Sequence, residues 1–162
     1  MILAIDPSNK EHTAYVFIDE NTYQPIKFGM CNSEEMIKIL DENFNDIKNV
    51  IIEMVASYGL PVGKDVFETC VLIGRMIEHC KSYSYIYRKD VKLNLCGRLQ
   101  KVNDAVVKQA LINRFAKFDY KNGKGTKKNN DFFYGFKGDI WSAYSVGVTY
   151  LDKEKGVNYG GY

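Results

Sequence analysis

Three carboxylates border or interrupt apolar runs. Asp6 closes the apolar run MILAID, Glu53 interrupts the apolar run NVIIEMV, and Asp139 heads the segment GDIWSAYSVGVTYL. Asp6, followed by Pro7, can open a turn. Asp139, after Gly138, can be an acid favoured at a helix N-terminus by the macrodipole. Glu53 has no such explanation, because an ionised carboxylate inside IIEMV needs a partner or a metal ion to offset its desolvation. Were the strands carrying Asp6 and Glu53 parallel neighbours, the two acids would converge at one end of a sheet. Carboxylates that close repel, and a divalent cation relieves the repulsion.

The elements that must position these acids follow from hydrophobic periodicity. Residues 1–6 and 13–18 (TAYVFI) and the segment 26–30 read as strands separated by polar turns, a three-strand meander. A helix follows: Asn32 and Glu35 have capping-box spacing, and Met36, Ile37, Leu40, Phe44 and Ile47 form an apolar stripe. Residues 49–55 are a near-continuous apolar strand, of the kind that lies centrally beside a parallel neighbour. Residues 64–80 are predicted helical, with Phe67, Cys70, Val71, Ile73, Gly74 and Ile77 on a broad apolar face. Residues 82–88 read as a strand, and 103–115 as a helix with Val106, Val107, Ala110, Leu111 and Phe115 inward. KNGKGTKKNN (121–130) is a loop, and 138–151 a last helix. This order predicts an α/β fold with a five-stranded mixed sheet, the meander's first strand lying beside the strand of Glu53. Nothing marks a second domain, so residues 1–155 are expected to form one domain, with 156–162 a flexible tail.

With 162 residues the chain can bury a core without a metal or disulfide staple. Cys31, Cys70, Cys80 and Cys96 form no CxxC pair, and His79 is the only histidine near them, which argues against a zinc cluster. Reduced, mostly buried thiols in a cytoplasm are expected. No apolar run approaches the roughly 18 residues of a membrane span, and Asp6 interrupts the N-terminus a signal peptide would need. A soluble cytoplasmic protein follows as the expectation, with no membrane contact. The net charge of +2 conceals an asymmetry: residues 1–74 carry 5 Lys/Arg against 12 Asp/Glu, whereas 75–128 carry 14 against 4. So basic a middle section points to a polyanion, since lysines that neutralise phosphates release condensed counterions. A solvated lysine-rich surface is the plainer explanation of charge alone.

AIDPSNKEHTAYVFI resembles the first hairpin of the RuvC-like branch of the ribonuclease H-like nucleases, VIIEMV its fourth strand with a metal-binding glutamate, and GDIWSAYSVGVTYL its final helix. Through ETCVLIGRM and GKGTKKNNDFFYGFKGDIWSAYSVGVTY the chain further resembles the short RuvC-type Holliday junction resolvases of phages that infect Gram-positive bacteria. The resemblance spans nearly the whole chain. It implies a ribonuclease H-like fold in which Asp6, Glu53 and Asp139 hold two Mg²⁺ or Mn²⁺ ions and cleave DNA phosphodiesters to 5′-phosphate and 3′-hydroxyl ends. Hard carboxylate oxygens suit those ions and not zinc. Such proteins commonly carry a second acid three residues on, where this chain has Ser142. Ser142 lies on the same helical face as Asp139, and could join through water or be supplemented by another acid, with Glu68 and Asp104 as candidates. The implied substrate is a Holliday junction, with flaps and forks as further branched DNA, and the implied assembly is a homodimer with two sites.

For DNA contacts the expectation falls on Lys101 and on Lys121, Lys124, Lys127 and Lys128, in a flexible glycine-bearing loop shortly before Asp139; Lys117 lies beside that loop, and Lys108 ranks lower. Tyr58 could stack on an unpaired base. Residues 59–64 do not form a phosphate loop, since the glycines are too close and Asp65 replaces the hydroxyl residue. The alternatives are an RNA-processing nuclease of the YqgF type and a non-catalytic protein that binds branched DNA.

Overall fold

A computed structural model describes residues 1–8, 12–57, 59 and 61–157. Five strands form one sheet: β1 (Ile2–Asp6), β2 (Thr13–Ile18), β3 (Pro25–Cys31), β4 (Asn49–Met54) and β5 (Tyr83–Tyr87), in the order β3-β2-β1-β4-β5. The first three are antiparallel, and β1, β4 and β5 run parallel. The mixed sheet expected from the sequence is therefore present, with β1 and β4 adjacent. Helices α1 (Ser33–Glu42) and α2 (Lys64–Glu78) cover one face, and α3 (Arg88–Cys96), α4 (Asp104–Phe115) and α5 (Ile140–Glu154) the other.

The pleat assigns alternate residues to the two layers. Leu3, Ile5, Val50 and Ile52 pack toward α1 and α2; Ile2, Ala4 and Ile51 pack toward the α3–α5 layer. α5 is apolar nearly all round because it is the central helix, lying across β1 and β2. It comes close to the sheet at Gly147, where a Cβ would sit 2.9 Å from that of Ala4. Its start is pinned by the preceding loop, whose fully buried Phe133 and Phe136 contact Trp141 and Tyr144 with ring centroids 4.6–5.5 Å apart.

Several expectations need correction. α1 stops at Glu42, where the backbone of Asn43 caps it, so Phe44 lies outside the helix and exposed. On α2 the buried residues are Thr69, Leu72, Ile73 and Met76, while Phe67 and Val71 are 59% and 66% exposed. The helix is apolar on two sides, and periodicity could not say which faces the sheet. α3 was not anticipated: of the hydrophobic residues in RKDVKLNLC only Val91 and Leu95 are buried, with the polar Asn94 on the same face, too weak a stripe to read. Of the thiols, all free, Cys31 is buried, Cys80 and Cys96 are half-buried and Cys70 is exposed. No helix among the described residues is long and apolar enough to cross a membrane. Of the expected tail, residues 158–162 lie outside the described residues.

Candidate active site

The parallel strands bring three polar side chains to one end of the sheet. The β1–β4 register runs from Ile2 opposite Asn49 to Ile5 opposite Ile52, and one further step sets Asp6 beside Glu53. In β5, Ile86 pairs with Glu53 and Tyr87 with Met54, so the next residue, Arg88, enters at the same end. The period of two then selects the face. Asp6 continues the series Ile2, Ala4, and Glu53 continues from Ile51, so both carboxylates point toward the layer of α3, α4 and α5.

That layer contributes two more acids. Asp139 is the N-cap residue of α5, yet its side chain makes no capping hydrogen bond, and it is exposed. Asp104 opens α4, where Asn103 already caps Val106 N–H, and its Oδ1 accepts from the Arg88 guanidinium. Arg88 also reaches the Ser145 hydroxyl on α5 at 3.4 Å. Burial, then the charges of Glu53 and Asp139, push the Asp6 carboxyl up to about 8, against the lowering effect of Arg88, with Asp104 adding to the rise. Glu53 is raised as well, chiefly by burial, with Arg88 opposing and Asp104 and Asp139 contributing. Four carboxylates thus share one field that a single guanidinium only partly offsets.

Beside the acids lies a cleft of about 410 Å³ lined by Asp104, Lys108, Lys124, Lys137, Asp139 and Ser142, among others. Trp141 forms part of its wall, with Lys108 Nζ 4.9 Å from the indole centroid. Among the loop lysines expected to contact DNA, Lys124 lines this cleft; Lys121, Lys127 and Lys128 are exposed on the same loop outside it. Lys101 is exposed in the turn before α4 and does not line the cleft, whereas the lower-ranked Lys108 does. Tyr58 lies outside the described residues. Ser142 shares the cleft with Asp139 as the helical spacing requires. Of the two supplementary acids, Asp104 is in the site and Glu68 pairs with Lys64 on α2.

The loop is not the flexible segment expected. Asp131 accepts backbone N–H groups from Lys117, Phe118, Asp119 and Phe132 at 2.6–3.0 Å, and Asp119 accepts from Asn122, Lys124 and Gly125. Burial alone would raise the Asp131 carboxyl, but its four amides hold it at about 2. Gly125 has φ +66° and a Cβ there would stand 2.4 Å from the Asn129 carbonyl oxygen, so the turn requires glycine. Sequence reading missed Arg88 and Lys137. A basic residue directly after a parallel strand was the available signal for Arg88; Lys137, two residues before Asp139, had proximity alone.

Among the described residues no three His, Cys, Asp or Glu side chains are gathered closely enough to hold a metal ion as they stand. The donor set nonetheless fits a hard divalent cation: it is all oxygen, comes from three elements, and is electrostatically unfavourable when ionised without a counter-charge.

No protein-family model matches the sequence, and no curated protein matches it. Solved structures do match in fold. RuvC of Thermus thermophilus in complex with a Holliday junction substrate is similar with a TM-score of 0.67 over 98% of both chains at 9% identity. A second Thermus thermophilus RuvC structure gives 0.60 over 97% of both chains at 10% identity. The five-stranded mixed sheet flanked by helices is thus the ribonuclease H-like fold of RuvC.

Proposed function

We propose that this protein is a metal-dependent endonuclease that cuts branched DNA, a Holliday junction in the first instance, at the site formed by Asp6, Glu53 and Asp139. The observation that carries this reading is the pair of carboxylates at the ends of β1 and β4, turned to the same face and both made less acidic by burial and by neighbouring carboxylates. Acids serving only the fold would be expected to have hydrogen-bond donors in that position. The likeness to a fold solved with a Holliday junction supports the choice of substrate.

Asp6, Glu53 and Asp139 would hold Mg²⁺ or Mn²⁺, which when bound polarise a phosphoryl oxygen and make water acidic enough to attack, leaving 5′-phosphate and 3′-hydroxyl ends. Lys108, Lys124 and Lys137 line the cleft where the phosphate backbone would approach, and position it without reading sequence. Arg88 keeps Asp104 tied down, and so limits the negative charge the phosphate must pass. Ser142 offers a hydroxyl in place of a charge on the Asp139 side. Two symmetric cuts need two sites, which a twofold dimer provides. Phe67, Cys70 and Val71, exposed on α2, with Tyr85 of edge strand β5 near Cys70, are the apolar surface suited to that contact.

The test is cleavage of a synthetic four-way junction with Mg²⁺ or Mn²⁺. Wild-type protein should cut it and Asp6→Asn should not, although both bind. Binding without cleavage in either metal would remove the nuclease activity, and cleavage indifferent to Asp6→Asn would remove the assigned site.

A further inference from the structure

The cleft beside Asp139 is not the only basic surface that meets the acids. Helix α3 and the turn after it carry Arg88, Lys89, Lys92, Arg98 and Lys101 against a single acid, Asp90. Asp90 cannot neutralise them: one oxygen accepts the Tyr87 backbone N–H at 3.1 Å and the other faces Lys153 at 3.5 Å. Arg88 is engaged by Asp104. Lys89, Lys92, Arg98 and Lys101 meet no carboxylate among the described residues.

These cations have a defined shape around them. Arg88, Lys89, Lys92 and Leu99 line a shallow groove of about 210 Å³. The positive field reaches Cys96, whose thiol is raised by burial and pulled back by Arg98, Arg88 and Lys92. Leu99 is 47% exposed amid these charges, an apolar contact suited to deoxyribose or an unstacked base. The groove joins the acid centre at Arg88, and the lysine cleft joins it at Asp104 and Asp139. Two basic surfaces therefore depart from one centre. A straight duplex passes a cut site along one axis; a branched one sends a further arm away from that axis.

We propose that the groove on α3 is a second DNA-binding surface, which holds an arm of branched DNA other than the one being cut. It extends the reading of the protein as a branched-DNA nuclease and rests on it only for the nature of the ligand. The experiment measures binding in EDTA, without cleavage, so that the two can fail separately. Fluorescence anisotropy compares a four-way junction with a linear duplex of the same arm length over a series of KCl concentrations. The protein is wild type, the double variant Lys89→Gln with Lys92→Gln, or the double variant Lys89→Arg with Lys92→Arg.

The glutamine pair should weaken junction binding about tenfold and reduce the slope of log K against log[salt] by about 2, roughly one for each lost phosphate contact. Linear duplex affinity should change by less than about twofold, and the arginine pair should behave as wild type. Unchanged junction affinity and slope, or an equal loss on the linear duplex, would overturn the second surface. A wild-type protein that binds no DNA would overturn both readings. One that binds the junction through Lys89 and Lys92 but never cuts it with Mg²⁺ or Mn²⁺ would remove the nuclease and leave this surface standing.

Discussion

Helix α5 ends at a buried acid and begins near a cluster of acids, and the two places are built on opposite principles. At its last turn Asp152 is fully buried, yet both oxygens are saturated: Arg114 binds them in a fork at 2.7 and 2.8 Å, Tyr23 donates at 2.9 Å and Asn94 at 2.7 Å. This clamp ties α3, α4, α5 and the β2–β3 turn together. At the other end Asp6 and Glu53 are also withdrawn from water, but their surroundings include further carboxylates and one arginine already committed to Asp104. A buried acid with every lone pair occupied serves the fold. One that is held near its own kind costs stability, and such an arrangement is expected where a ligand supplies the missing charge.

The contrast can be broken at either end. Asp152→Ala removes the buried carboxylate that Arg114, Tyr23 and Asn94 all bind, and should cost about 3–5 kcal/mol, read from urea unfolding, with cleavage lost only through unfolding. Asp6→Asn should do the reverse: cleavage of a four-way junction falls by more than about 100-fold, beyond the range of outer-shell changes at metal sites, while the metal-free protein becomes more stable at pH 8.

The pH profile sharpens the same point. Asp6 holds its proton to about 8 when folded and to about 4 when unfolded. Between those values the folded state carries the extra proton, so in EDTA stability should fall as pH rises, by at most about 1.4 kcal/mol per unit. Glu53 acts in the same direction. Asp6→Asn should flatten the slope, as followed by thermal unfolding from pH 5 to 8. A slope unchanged by the substitution would mean that Asp6 is not held among like charges. Asp131 runs the other way: its stabilisation is complete above about 4 and is lost as pH falls toward 2.

Smaller effects test the supports. Asp131→Ala strands four backbone amides and should cost about 2–3 kcal/mol in urea unfolding, with a rise in proteolysis of the 117–131 loop. Gly147→Ala would crowd Ala4 and the tip of Ile18, costing about 1–3 kcal/mol and moving α5 relative to β1. If stability drops while cleavage per folded molecule is unchanged, the site tolerates that movement.

Much of the fold was legible because the strands are apolar runs of the right length and turns separate them. Glu53 stood out because a charge inside IIEMV has no local explanation, and that anomaly led to the parallel pairing. Where the pattern was degenerate, reading stopped. α2 is apolar on two faces, so sequence placed Phe67 and Val71 inward when the sheet takes Leu72 and Met76. α3 owes its position to β5 ending at Tyr87 and to Asn94 reaching Asp152, a contact 58 residues away in the chain. The loop appeared flexible because composition does not reveal that Asp119 and Asp131 collect its amides.

By itself the sequence determined the identity and order of the acids and the basic bias of residues 75–128, because these depend on residue type and local period. Tertiary structure decided which charges meet. The parallel register of β1, β4 and β5 set Asp6, Glu53 and Arg88 at one end, the pleat turned both acids to one face, and the packing of α4 and α5 added Asp104, Lys108 and Asp139. No local pattern encodes that meeting, since the energy of a charge depends on distances that only the packed chain defines.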